Sequence, residues 1–217
     1  NPEELIAAAE GMEVDDLADL LVDLPETLTQ EVLQSLDKQD QERVTQVLAY
    51  DEESAGGLMN VDIVTVRPDV TLEVVCRYLR TVGEVSDGTD SIYVVNRMGK
   101  YIGSLYLSTI LTNDPLNTVA NVMQTDVLPI SANTSSTQVV WEFENRDLLS
   151  APVVDDESRM LGRITVDDVV DVIRDEAEHS LMGAAGLDEE NDMFAPVVKS
   201  ASRRALWLGI NLCTAFL

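Results

Sequence analysis

Between Val166 and His179 the chain carries acids at a helical spacing. Asp168, Asp171 and Asp175 recur every three and four residues and fall along one face, with Asp167 and Glu178 extending the charge to either side. Only Arg174 and His179 oppose them. A second acidic set lies in Val14-Asp15-Asp16-Leu17-Ala18-Asp19-Leu20-Leu21, where Asp15 and Asp19 are surface neighbours four apart and Leu17, Leu20 and Leu21 share the apolar face. Carboxylates gathered without counter-charge are either a solvated acidic face or hard oxygen ligands. The second is the chemistry of hard divalent cations, which take oxygen donors and can keep part of their water shell. Softer metals want His or Cys, and the chain has one histidine and two distant cysteines, Cys76 and Cys213. No EF-hand loop of alternating acids around a glycine is present, so a dedicated calcium loop is not expected. Selectivity among Mg2+, Mn2+ and Ca2+ stays open at this stage.

The composition points the same way. Forty acids against 14 bases give a formal net charge of −26 over 217 residues. That excludes nucleic acid as a partner, because phosphate binding needs a basic surface, and it favours cations or a strongly basic partner. Hydrophobic residues reach 45%, enough for real cores. Two separated cysteines make a disulfide framework or zinc site unlikely and suit a reducing cytosol. No nucleophile–base constellation, phosphate-cradling glycine loop or metal-activated-water triad is found, so the chain is not expected to be an enzyme. No signal peptide is expected either. The abrupt opening on an acidic helix and the apolar run at the last residues suggest an excised fragment.

The elements that must position these acids follow from periodicity. Residues 1–50 read as helices only: the Val14 segment, a break at Pro25, then Thr29 to Leu36 and Gln41 to Leu48. After Gly56-Gly57 the texture changes to short β-branched runs alternating with helices. Ile63 to Val66 reads as a strand, Thr71 to Thr81 as a helix capped by Thr71, and Ser91 to Val95 with Tyr101 to Tyr106 as a hairpin. The same order returns as Val127 to Ile130, a helix over Thr137 to Glu144, a strand at Pro152 to Val154, and the return strand Leu161 to Val166. Tyr93 to Gly103 lies over Pro152 to Gly162 without a gap, while the first copy has an extra loop from Gly83 to Asp90. This is an internal repeat of roughly 60 residues, in too few copies for a solenoid. Two β-α-β-β-α units most simply pack as a pair around shared sheets. The acidic helix from Asp167 is expected to reach about Leu181. Beyond it come an acidic segment at Asp188 to Asp192, then Lys199, Arg203 and Arg204 before Ala205 to Leu217. That apolar run falls short of the roughly 20 residues a spanning helix needs, but basic residues and Trp207 at its entry fit a membrane boundary with the basic side cytoplasmic.

The repeat resembles a pair of CBS (cystathionine-β-synthase-type) motifs, and its flanks resemble the MgtE-type magnesium transporters. The residues carrying this second likeness are Leu17-Ala18-Asp19, Ser54-Ala55-Gly56-Gly57-Leu58-Met59, Val166-Asp167-Asp168-Val169-Val170-Asp171-Val172, and Ser202-Arg203-Arg204 leading into Trp207 and Asn211-Leu212. The resemblance implies an α+β fold: a small helical N-terminal domain, a tandem CBS pair and a long connecting helix. The expected boundaries are 1–52 for the partial acidic helical domain, 53–115 and 116–173 for the CBS motifs, 174–200 for the plug helix and linker, and 201–217 for the start of the first membrane helix. It implies a cytosolic sensor on the inner membrane. In such a sensor Mg2+ bound between acidic faces of a homodimer, paired through its CBS motifs, holds the plug helices of the protein's own transmembrane domain closed.

Carried over by this resemblance, the metal-binding residues are Asp15, Asp19, Asp147, Asp168, Asp171 and Glu176. Thr137 and His179 depart from the family's acids. CBS pairs also hold adenine nucleotides through a Gly-x-x-Thr-x-x-Asp pattern. Gly162, Thr165 and Asp168 satisfy it in the second motif, which makes Thr165 and Asp168 the implied ATP contacts. The first motif has Gly103, Tyr106 and Thr109 instead, with Ser108 and Thr109 where related transporters can have an Arg-Asp pair. A nucleotide-sensing regulatory module is therefore the alternative function. Whether the N-terminal helices pack on their own CBS pair or the partner's is open from sequence.

Overall fold

A computed structural model describes residue 5 and residues 12–22, 24–83, 85–86 and 88–184, apart from the side chains of residues 179 and 181–184. The expectations for the acidic segment at 188–192, for Lys199, Arg203 and Arg204, for Cys213, for the His179 side chain and for the membrane segment 201–217 lie outside the described residues. The chain divides into two compact units, residues 1–172 and 173–217. The described part of the second is the far portion of one helix. Among the described residues no helix is long and apolar enough to cross a membrane.

The described residues of the first unit include the helices α1 (Val14–Val22), α2 (Glu26–Ser35) and α3 (Lys38–Val47). Leu17, Leu21, Val32 and Val44 close into a small core, which is why Leu17 and Leu21 recur one turn apart. Pro25 sits at the N-cap of α2 with φ −57°, a backbone angle that suits its ring. Asp37 caps α3 by accepting the amides of Gln39 at 2.8 Å and Asp40 at 2.9 Å.

Each repeat then builds a three-stranded sheet. The first sheet runs β1 (Thr65–Val66), β2 (Ser91–Val95), β3 (Tyr101–Tyr106), with α4 (Leu72–Val82), α5 (Leu107–Thr112) and the short α6 (Val119–Val122) around it. The second runs β4 (Ile130–Ser131), β5 (Ser150–Val154), β6 (Met160–Thr165), with α7 (Ser136–Arg146) and α8 (Val166–Ala184). In both, the first strand is parallel to the second and the second antiparallel to the third. β2 and β5 are buried along their whole length, as central strands covered on both faces must be. Thr71 holds the N-cap position of α4 without a side-chain hydrogen bond, whereas Ser135 caps α7 through the Gln138 amide at 3.4 Å.

The two copies match in detail. Both hairpins carry a register shift at equivalent places, Val94/Val95 and Val153/Val154. Both turns fold around an Asx side chain. Asn96 Oδ1 accepts the amides of Met98 and Lys100, and Asp155 Oδ1 accepts those of Glu157 and Arg159. The left-handed position is Gly99 (φ 76°) in the first turn and Ser158 (φ 64°) in the second.

The expectation of shared sheets needs a correction. The sheets are separate, and what crosses is the lead-in to each motif. Asn60, ahead of the first motif, pairs with Arg163 on β6, its amide to the Arg163 carbonyl at 2.8 Å and the reverse bond at 2.9 Å. Gln124, ahead of the second motif, pairs with Ser104 on β3 at 2.8 and 2.9 Å. Ala55 and Met59 accordingly belong to the core of the second motif. Glycine is required beside both crossings. A Cβ at Gly103 would come 2.5 Å from the Gln124 carbonyl oxygen, and one at Gly162 would come 2.6 Å from that of Asn60. Gly162, read from sequence as part of a nucleotide pattern, thus has a packing role.

Candidate functional site

Asp168 stands in the first turn of α8, and its position follows from how that helix starts. Thr165 precedes the helix, and Asp168 reaches back to it. Asp168 Oδ2 accepts the Thr165 backbone amide at 2.7 Å and the Thr165 hydroxyl at 2.7 Å. This is one half of a capping box, an acid at the third helical position satisfying the N–H of the residue before the helix. Carboxylates also gain from the partial positive charge at a helix N-terminus. Burial nevertheless pushes the Asp168 carboxyl above the usual carboxylate range; the Thr165 bonds oppose this, and the charges of Asp167 and Asp16 reinforce it.

Asp15, in the first turn of α1, is brought to the same place. It was expected on the outer face beside Asp19, but it is buried, only 9% exposed. Burial and then the charge of Asp168 push its carboxyl up to about 7, against the amides of Asp15 and Asp16, which hydrogen-bond it. The link between α1 and the second motif is Asn60, which is 2% exposed. Its carboxamide nitrogen donates to Asp15 Oδ1 at 3.3 Å and to Glu13 Oε2, while its carbonyl oxygen accepts the Asp62 amide at 2.8 Å. Nearby, Arg43 of α3 pairs with Asp62 at 3.2 Å. The N-terminal helices therefore dock on the CBS-like pair of their own chain.

The remaining predicted acids are not gathered there. Asp19 is exposed and lines a cavity of about 310 Å3 together with Val22, Val47, Leu48, Asp51 and Glu52. Asp147 is exposed and ends α7 in the left-handed conformation, φ 48° and ψ 47°, its amide bonded to the Phe143 carbonyl. Asp171 is exposed on α8 three residues after Asp168, and Glu176 is exposed on the part of α8 that belongs to the second unit. Thr137 is exposed in the first turn of α7. Among the described residues no three His, Cys, Asp or Glu side chains converge tightly enough to enclose a bare metal ion. The donors present are hard oxygens, which fit a cation that keeps its own waters.

The nucleotide pattern meets a further set of buried polar groups. Thr165 is 6% exposed, with its hydroxyl turned to Asp168. The extra loop of the first motif lies against it, a Cβ at Gly88 coming 4.0 Å from Thr165 Cγ2. That loop is tied to the second motif at two points. Ser150 Oγ donates to Asp90 Oδ1 at 2.6 Å, and Arg163 donates to Thr89 Oγ1 at 2.8 Å. Tyr93 on β2 donates its hydroxyl to Ser150 Oγ at 3.4 Å, and burial pushes its pKa up.

Sequence reasoning missed Asn60, Glu13, Asp16, Asp90 and Arg163. A usable signal existed for two of them. Arg163 interrupts the apolar strand Leu161 to Ile164, and Asn60 stands between Met59 and Val61; a polar residue in either place needs a partner. Those partners lie 74 residues away for Arg163 and 45 for Asn60, beyond any local pattern.

A family model described as the MgtE intracellular N domain matches residues 1–53, and the CBS domain model matches residues 55–114 and 119–175. The magnesium transporter MgtE of Thermus thermophilus is 33% identical over 198 residues, 90% of this chain and 43% of that protein. A crystal structure of the cytosolic domain of the Mg2+ channel MgtE in complex with ATP superposes with a TM-score of 0.73 at 33% identity, covering 79% of this chain and 75% of that one. The soluble part of a magnesium transporter gives a TM-score of 0.76 at 25% identity, over 82% and 69% of the two chains. The chain spans less than half the length of the curated magnesium transporters it matches.

Proposed function

The chain belongs to the MgtE magnesium-transporter family, carrying its N domain and CBS pair, and from that premise we propose that it is the cytosolic Mg2+-sensing and gating region of a magnesium channel or transporter. In this reading Mg2+ lies between the acidic faces of α1 and the second CBS motif and stabilises a compact, closed state. When Mg2+ is scarce the carboxylates repel and the faces part. The carrying observation is the burial of Asp15, 9% exposed, where the charge of Asp168 acts on it, each carboxyl being pushed above its usual range. Asp15, Asp19, Asp147, Asp168, Asp171 and Glu176 are the proposed ligands, directly or through waters. The ion supplies positive charge; the chain supplies oxygen donors held by the α8 capping box and by Asn60. The region works on the cytoplasmic side of the inner membrane against its own transmembrane domain, as a homodimer through the CBS motifs.

Magnitudes favour many weak sites. Moving a two-state equilibrium from 1:99 to 99:1 takes about 5.5 kcal/mol of differential binding. A site at ten times its dissociation constant contributes about 1.4 kcal/mol. About four sites of millimolar affinity, doubled by dimerisation, reach that range without an enclosing cage. The test is scattering radius and protease sensitivity across millimolar Mg2+. The expected outcome is cooperative compaction and protection; a radius and cleavage pattern that do not move would overturn the reading.

A second reading, adenine-nucleotide sensing, rests on Thr165 and Asp168 and on the ATP complex of the relative at 33% identity. Calorimetry with ATP, with and without Mg2+, separates the two. Saturable heat at sub-millimolar ATP favours nucleotide sensing, and its absence leaves Mg2+ as the sensed ligand.

A further inference from the structure

Asn60 joins two parts of the fold at one residue. Its backbone extends the second sheet through two hydrogen bonds with Arg163. Its side chain does something different: the carboxamide nitrogen donates to two carboxylates of the N-terminal region, Glu13 just before α1 and Asp15 in its first turn. The carbonyl end is held by the Asp62 amide, which fixes which way the amide points. A neutral donor is the right group here. An arginine or lysine would supply the counter-charge permanently and remove any need for a cation, whereas a carboxylate would add to the repulsion. The carboxamide binds the acids and leaves their charge in place.

We propose that Asn60 is a positioning residue, a neutral clamp that places Asp15 opposite Asp168 in the minority of molecules that dock without a cation. The inference rests on the Mg2+-sensing reading and deepens it. Cation binding then draws the population into that docked arrangement. The clamp sets the starting population of that arrangement, and with it the Mg2+ concentration at which the transition occurs. A ligand-competent state that is only fractionally populated weakens apparent affinity by that fraction, so loss of the clamp raises the Mg2+ needed.

The test uses the 217-residue chain with spin labels at Gln34→Cys and Glu157→Cys, both exposed positions, in a Cys76→Ser, Cys213→Ser background. Pulsed dipolar spectroscopy reads the docked fraction in EDTA and along a Mg2+ titration. Asn60→Ala and Asn60→Asp should each lower the docked-to-undocked ratio in EDTA by about tenfold or more, as expected for losing hydrogen bonds to charged acceptors. Both should move the Mg2+ midpoint upward by a similar factor. The exchange Asn60→Asp with Asp15→Asn returns a donor facing an acceptor and should recover more of the EDTA docking lost in Asn60→Asp than Asp15→Asn alone adds to the parent chain, a coupling that a merely structural role would not give. Circular dichroism confirms that each variant is folded. Wild-type docking fractions and midpoints in the single Asn60 variants, or no such excess recovery in the exchange, overturn the clamp. A parent chain that does not respond to Mg2+ at all overturns the sensing reading instead, so the two failures are told apart.

Discussion

At the scale of single residues the most informative group is Asp15. Its carboxyl titrates near 7 when docked, against 3.8 for the ordinary side chain. Docking therefore favours the protonated form. Docked stability is fully present below about pH 4 and is lost as pH rises through 7, with a slope of at most about 1.4 kcal/mol per pH unit for one proton. The groups facing it are Asp168, Glu13 and the neutral Asn60, while the Asp16 charge acts on Asp168. In EDTA the melting temperature should fall between pH 5 and pH 8, and Mg2+ should raise it more at pH 8 than at pH 5. Asp15→Asn should flatten the EDTA profile across that window; an unchanged pH slope in this variant would locate the titration elsewhere. Asp15 also marks where sequence reading stops. Its type and its spacing from Asp19 were legible, but its burial depends on Asn60 and Asp168, which no window around Asp15 contains. The pairing of Thr165 with Asp168 was legible as a pattern, and the structure gives it a local cause in the start of α8.

At the scale of elements, repeat, hairpins and helices could be read because each rests on short-range chemistry: a short β-branched and aromatic run in β2, an Asx turn at Asn96, an apolar stripe on α4. Strand ends could not. Ile63 and Val64 are β-branched yet precede the paired residues Thr65 and Val66, Val64 contributing only its carbonyl, which accepts the Tyr93 amide at 3.1 Å. The helix ends show how one residue can hold two jobs. Gly83 ends α4 with φ 83°, and Asp147 ends the equal-length α7 with φ 48°. Asp147→Gly should raise the melting stability in EDTA by about 0.5–1 kcal/mol, relieving a left-handed non-glycine residue. If Asp147 is also a ligand, the same change should weaken Mg2+-driven compaction. Asp147→Asn, tolerated in that conformation, should weaken compaction with little change in EDTA stability. Urea unfolding and scattering on the two variants separate cap from ligand.

At the scale of the molecule, the net charge of −26 opposes both compaction and self-association, so screening salt should favour each, though less per ion than Mg2+. The proposed homodimer has a surface to use. Val74, Tyr78 and Val82 recur every four residues on α4 and are 44%, 48% and 43% exposed. Tyr78→Glu should shift sedimentation toward monomer while leaving the circular dichroism spectrum unchanged; a dimer that persists would move the interface off α4. Crossed lead-ins have a mechanical consequence at this scale. Because Asn60 is hydrogen-bonded to Arg163, two residues before the Thr165 cap of α8, the tether of the N-terminal helices is anchored on the second motif. A pull on those helices has a route to the root of α8 through one pair of backbone hydrogen bonds, far shorter than the hundred or so residues of intervening chain.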